Sequence, residues 1–264
     1  MTGVTEMTAD WMAGVLRGDR PEALSPMVVT ALPDPARPEA GQRVIAAGRQ
    51  AAAAALARDA LGRGRREPVF CCAQRDRAAI EFAEASPDGT RRSSIVTMQL
   101  AAGSITRIVA FRHTYVPRLA GPGTAGTPAG AAGTPADAAQ LLVRRYLDDL
   151  EAGRAAEAAG CFAEDAIYSF PPRTADGDRG VVTGRSAITS VFEARGTNAA
   201  RHHIEQVTGN AAGTDFVISG RVTGLPAGQS ATFASCVQVA AGLISRYVAV
   251  MCVPEVPQRT GETS

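Results

Sequence analysis

The 264-residue chain contains no lysine, so all 27 of its basic side chains are arginine. That excludes a Schiff-base lysine and a phosphate-binding loop ending in Gly-Lys-Ser/Thr. Aromatic residues make up only 5% of the chain and histidine occurs three times, so each of these side chains can be weighed singly. No run of 18 consecutive apolar residues occurs, and no membrane-spanning helix is expected. Twenty-seven basic residues against 26 acidic ones leave a formal charge of +1, which gives no global attraction to nucleic acid or anionic lipid. The five cysteines, Cys71, Cys72, Cys161, Cys236 and Cys252, lack C-x-x-C spacing and read as free thiols. With three histidines that form no spaced pair, they nominate no metal site. The opening residues lack a basic segment followed by an apolar one, and a cytoplasmic protein without metal or cofactor is the expectation.

What is present is a globular composition, 45% apolar and 20% charged, divided by one segment that cannot pack. Residues 118–137, RLAGPGTAGTPAGAAGTPAD, are almost all Gly, Ala, Pro and Thr and read as a linker. The GPGTAG within it matches G-x-G-x-x-G but lacks the strand and helix that a dinucleotide site requires. The segments on either side repeat each other. QLAAGSITRIVAFRH (99–113) aligns without a gap with QVAAGLISRYVAVMC (238–252); Gly48-Arg49 pairs with Gly184-Arg185, and Gly18 with Gly153. The expected organisation is a divergent first domain over 1–117, the linker 118–137, a second domain over 138–254 and a flexible tail over 255–264.

The second copy gives the clearer pattern. Ala139, Leu142, Val143, Tyr146, Leu147 and Leu150 fall at helical spacing, with Arg144, Arg145, Asp148 and Asp149 on the other side, and the helix ends near Gly153. A short helical stretch through Cys161 and Phe162, a strand over 166–170 and a helix over 184–194 follow. Strands are then expected at 203–208, 215–223, 231–240 and 244–253. Alternation of Phe233, Ser235, Val237 and Val239 with Ala234, Cys236 and Gln238 predicts a sheet with one buried face. Helices followed by an antiparallel meander make each copy α+β.

This order of elements, together with YLDDLEAGRAAEAAGCFAEDAIYSFPP, resembles the nuclear transport factor 2 superfamily and its SnoaL-like branch. The resemblance covers 138–254 and, more weakly, 8–117. It implies two tandem cone-shaped α+β barrels, each with helices on a curved sheet around an apolar pocket, joined as an internal pseudodimer, with a further homodimer open. Members include ketosteroid isomerases, polyketide cyclases, epoxide hydrolases and pure binding proteins, so fold alone does not give the chemistry.

Ketosteroid isomerase offers the sharpest comparison, and it implies that Tyr146 stands where that family's helix tyrosine donates to a developing oxyanion. The alternative for Tyr146 is a core tyrosine. The isomerase's base aspartate corresponds to Phe170 and its second donor to Ser235, so the second copy does not run that mechanism. The first copy carries Trp11 in place of Tyr146, and Asp34-Pro35 at the base position, where a desolvated carboxylate could act as acid or base or else lie exposed in a turn. Glu81 and Glu193 are candidates for a second carboxylate. Of the adjacent pair His202-His203 only one can face a pocket, and His203 is chosen as a proton shuttle, against a histidine bonded to backbone. His113 falls on the last strand of the first copy, at the expected pocket mouth. Phe162, Tyr168, Phe170, Phe192, Ser235 and Tyr247, with Trp11, are the expected substrate-binding residues.

The expected function is a cofactor-independent enzyme of bacterial secondary metabolism, such as antibiotic biosynthesis. It would act on an apolar polyketide-like molecule by acid/base chemistry: cyclisation, isomerisation or epoxide opening. The alternative is a non-catalytic protein that binds or sequesters a small molecule. A third arrangement keeps chemistry in one copy and uses the other as its permanent partner.

Overall fold

The computed structural model describes residues 8–33, 43–58, 66–74, 76–85, 91–115, 136–170, 180–197, 199–210, 212–225 and 230–252. The first half runs α1 (Ala9–Leu16), β1 (Leu24–Pro33), β2 (Arg43–Ala47), α2 (Arg49–Arg58), β3 (Arg66–Gln74), β4 (Arg77–Ala85), β5 (Arg91–Ala101) and β6 (Ser104–Tyr115). The second runs α3 (Ala136–Glu151), α4 (Ala155–Ala159), β7 (Phe162–Ser169), β8 (Val181–Thr183), α5 (Arg185–Arg195), β9 (Arg201–Gly209), β10 (Asp215–Thr223), β11 (Ala231–Ala240) and β12 (Leu243–Cys252). The sheet orders are β2-β1-β6-β5-β4-β3 and β8-β7-β12-β11-β10-β9, the same topology twice. Within each, β1 runs parallel to β6, or β7 to β12, and every other pairing is antiparallel.

The repeat extends to local backbone. Gly18 and Gly153, which follow α1 and α3, have φ of 81° and 74°, where a side chain would be strained. The β5–β6 and β11–β12 hairpins turn on Ala102-Gly103 and Ala241-Gly242, all four residues at positive φ, the geometry of a two-residue type I′ turn.

Several sequence expectations change. The sheets are open mixed sheets of six strands, so neither domain is a closed barrel. The short helix stops at Ala159, and Phe162 opens β7, paired with Ile244 and fully buried, because the strand places its ring in the core. Asp149, expected on the solvent side of α3, is buried, its carboxylate held by the Arg154 guanidinium at 2.7 and 2.9 Å. α3 begins at Ala136, two residues inside the expected linker; residues 118–135 and the tail lie outside the described residues.

β11 is buried on both faces, where alternation suggests one. Phe233, Val237 and Val239 face the second domain's own core, whereas Ala234 and Cys236 join a third core built from both halves, with Ala31, Phe70, Cys72, Ile95, Phe111, Val248 and Val250. Two sheets packed face to face bury the side of each strand that one isolated domain would leave wet. Polar contacts cross this interface: Cys72 Sγ donates to Thr208 O (3.1 Å) and Gln99 Nε2 to Gln206 Oε1 (3.2 Å). Arg246 binds Glu81 through two hydrogen bonds of 2.6 and 2.7 Å. The symmetry is broken at the matching place, where Ser219 stands for Glu81 and Arg107 faces it across a polar cavity of about 110 Å³.

Candidate functional site

Three of the four tyrosines converge in the second domain. Tyr146 comes from the buried face of α3, Tyr168 from β7 and Tyr247 from β12, the last two side by side in the parallel pairing of their strands. The Tyr146 and Tyr168 hydroxyls are 3.1 Å apart and share one hydrogen bond. The rings interlock: Tyr146 meets Tyr247 edge to face at 5.2 Å and stacks on Phe192 at 5.7 Å, while Tyr168 stacks on Tyr247 at 5.7 Å. Such contacts hold phenols that would otherwise have rotamer freedom in a fixed array.

These rings form one wall of a cavity of about 470 Å³, a size that suits a drug-sized ligand. Phe170, Phe233, Leu150 and Val222 continue its apolar surface, and Ser235, Arg195 and His202 bring polar atoms to it. No aspartate or glutamate lines it among the described residues. Phe170 keeps its place because its ring lies over Gly180, where an added Cβ would fall 1.7 Å from the ring. Ser235 Oγ is buried without a hydrogen bond of ordinary geometry, and the Tyr247 phenol is its polar neighbour.

Burial pushes the Tyr146 hydroxyl well above the ordinary phenol value; the neighbouring Tyr168 and Tyr247 add to the shift, and the Arg195 charge opposes it weakly. Burial also raises Tyr247, against a favourable contact from Ser235. Both are therefore neutral donors at physiological pH. When Tyr168 donates the hydrogen bond of the Tyr146–Tyr168 pair, the Tyr146 hydroxyl hydrogen is not spent on it and can serve a ligand oxygen in the cavity that Tyr146 lines.

His202, at the second position of β9, turns its ring to this cavity, packed edge-on against Phe233 at 5.2 Å. Its Nδ1 is 2.9 Å from Glu151 Oε1, which also accepts the His202 backbone N–H at 2.6 Å. Burial raises the Glu151 carboxyl, but the His202 ring and backbone hydrogen bonds, with the His202 and Arg201 charges, outweigh that and leave it below the ordinary carboxylate value. An ionised Glu151 holds the proton on Nδ1 and leaves Nε2, which makes no hydrogen bond among the described residues, as the basic nitrogen on the cavity wall.

The structure thus brings together Tyr146, Tyr168, Phe170, Phe192, Ser235 and Tyr247, and separates the others. Phe162 lies behind the wall, fully buried against Tyr146 at 5.0 Å. Trp11 is half-buried on the core of the first domain. His203, the histidine chosen from the sequence, is a correction: it is exposed and bonds Thr223 Oγ1 at 2.9 Å, while its neighbour takes the cavity face. His113 lies on β6 opposite Ser93, with its side chain outside the described residues, and Asp34 is outside them altogether. Glu81 faces the interdomain interface and Glu193 faces solvent.

Glu151 was legible only indirectly. It is one of three acids, with Asp148 and Asp149, in the last turn of α3, where no basic residue offsets the helix dipole. A carboxylate at that end of a helix needs a partner elsewhere, and this one finds it fifty-one residues on.

Among the described residues no group of three His, Cys, Asp or Glu side chains is placed to hold a metal, and no helix is long and apolar enough to cross a membrane.

Residues 143–247 match the SnoaL-like domain family, and the first half repeats the topology of that domain. No curated protein matches the chain. Similar solved structures include a protein of unknown function with a cystatin-like fold from Methylobium petroleophilum (20% identity, TM-score 0.39, covering 50% of this chain and 85% of that one). A candidate ketosteroid isomerase from Kribbella flavida is 20% identical with a TM-score of 0.36, over 51% of this chain and 91% of its own. A candidate polyketide cyclase from Xanthomonas campestris is 21% identical with a TM-score of 0.34, over 47% and 93%.

Proposed function

We propose that the second domain is a cofactor-independent enzyme that moves a proton on an apolar, carbonyl-bearing small molecule, with His202 as the base. The observation that carries this reading is the Glu151–His202 pair, whose ring stands on the wall of the same cavity as the Tyr146–Tyr168 hydroxyls. His202 Nε2 takes a proton from the carbon next to the carbonyl, and the C–H electron pair moves into the carbonyl to give an enolate. The Tyr146 hydroxyl, accepting from Tyr168, donates to the enolate oxygen, in surroundings where water competes little. Where a neighbouring C=C conjugates with the enolate, return of the proton from the imidazolium to the far carbon completes an isomerisation; attack of the enolate carbon on a second carbonyl of the same molecule, with the imidazolium giving its proton to the alkoxide formed, completes a cyclisation. Glu151 is a positioning residue, which fixes the tautomer and steadies the imidazolium.

The repeat supports giving the chemistry to this copy. In the first domain the positions matching Glu151 and His202 hold Leu16 and Arg66, and those matching Tyr146, Tyr168 and Tyr247 hold Trp11, Thr30 and Ile108. The first domain then serves as the permanent partner that covers the outer face of the second sheet.

Binding without turnover is a second reading, favoured by the lack of a carboxylate on the wall among the described residues and by Phe170 at the position expected for a base. Deuterium exchange at the carbon next to the carbonyl of 2-decalone, followed by NMR in D₂O, separates the two. Catalysis requires exchange above background that His202→Ala removes while 2-decalone still binds. Binding without exchange in the native protein supports the second reading.

A further inference from the structure

Arg195 is the only full-time cation lining the large cavity among the described residues. It closes the last turn of α5, is half-buried, and forms neither ion pair nor hydrogen bond among them. Among the described residues no acidic side chain lines the cavity, whose other polar groups there are His202, Ser235 and the tyrosine hydroxyls. Its charge is felt by both Tyr146 and Tyr247, which places the guanidinium's field inside the cavity and not only over the outer surface of the helix. The other arginines near this site do have partners: Arg154 holds Asp149, Arg201 lies beside Glu151, and Arg185 holds Glu164.

A half-buried guanidinium with no anion beside it among the described residues, on the wall of an apolar chamber, suits an anionic ligand. We propose that the ligand of this cavity is an apolar carboxylic acid, whose carboxylate is received by Arg195 while its hydrocarbon or aromatic body lies against Tyr168, Phe170, Phe192 and Phe233. The inference rests on the cavity being the ligand site, as proposed above. A planar guanidinium matches a carboxylate with two parallel N–H···O bonds. A single arginine, with no lysine in the chain, is a poor match for a phosphate dianion. Burying a carboxylate without such a partner would be strongly opposed, so Arg195 discriminates for acids and also fixes which end of the molecule faces solvent. Because Arg195 is partly exposed, it meets the carboxylate where the cavity opens, and the opposite, carbonyl-bearing end is directed toward the tyrosine pair.

The test uses the whole chain and a matched pair of fluorescent probes, 2-naphthoate and 2-naphthalenemethanol, which share a ring system and differ in charge. The native protein is expected to bind 2-naphthoate at least about tenfold more tightly, the equivalent of about 1.4 kcal/mol. Arg195→Gln should bring the ratio close to one without weakening the alcohol, and Arg195→Lys should restore part of it; circular dichroism confirms that both variants fold. Equal affinity of the native protein for the two probes overturns the carboxylate assignment and leaves the cavity as a ligand site. Binding of neither probe overturns that site reading and this inference with it.

Discussion

Arg246 on the second sheet grips Glu81 on the first through hydrogen bonds of 2.6 and 2.7 Å, with the Glu81 side chain only 2% exposed. This pair is a buried charge lock between the halves. Its parts are worth less than its integrity, since a buried ion pair gains little net energy but a buried charge without its partner is costly. Arg246→Leu is expected to cost about 3 kcal/mol or more in urea denaturation. The double change Glu81→Leu with Arg246→Leu should recover most of that. A double variant as unstable as the single one would show that the arginine matters through packing alone.

Tyr146→Phe removes the hydroxyl that Tyr168 shares and keeps the ring contacts. Exchange on a carbonyl substrate should fall about 10²-fold, the usual loss for one oxyanion donor, while binding of an apolar probe changes little. A large loss of affinity with unchanged turnover would assign Tyr146 to the wall instead.

Tyr146 and Tyr247 are both held above the ordinary phenol value of 10.0. A raised folded value means that the unfolded chain loses these protons first. Their contribution to stability is therefore complete below about pH 10 and declines as pH rises beyond it. Absorbance at 295 nm should show these phenols ionising only with alkaline unfolding, and their ionisation in the folded protein near pH 10 would contradict the burial argument.

Glu151 has the opposite sign. Its folded value lies below the ordinary 4.5, so its contribution is present above that pH and is lost as pH falls through the folded value. Stability measured by denaturant between pH 3 and 6 should rise less steeply in Glu151→Gln than in the native protein. An unchanged slope would mean that the His202 contact does not persist in solution.

Ala102 and Ala241 sit at φ of 49° and 50°, where asparagine or glycine is preferred as the first residue of a type I′ turn. Ala241→Asn should add about 0.5–1 kcal/mol, which corresponds to roughly 2–4 °C in Tm for each kcal/mol gained in a chain of this size. A lower Tm would indicate that the turn does not keep this geometry.

The repeat carried most of the fold into view, because the gapless match of 99–113 with 238–252 spans the strands that form the centre of each sheet. The aromatic wall was readable as well, since the helical period of α3 and the two-residue period of β11 assign faces directly. Two features were hidden for physical reasons. Alternation on β9 requires only that one of His202 and His203 face inward, and the choice depends on register with β10, which shifts by a bulge at Ser219/Gly220. The second buried face of β11 depends on another sheet, and a strand's own pattern cannot reveal what covers its outer side. Glu151 combined both problems: its partner is remote in sequence and lies on the strand whose phase was uncertain.

The central claim is that His202, held by Glu151, performs chemistry inside the cavity of the second domain. It is tested most directly by replacing the chromosomal gene with its His202→Ala form and comparing the metabolites of the two strains by mass spectrometry. Accumulation of an isomeric or uncyclised precursor, with the folded variant present at native levels, is the expected result. An unchanged set of products at unchanged yield would contradict the claim.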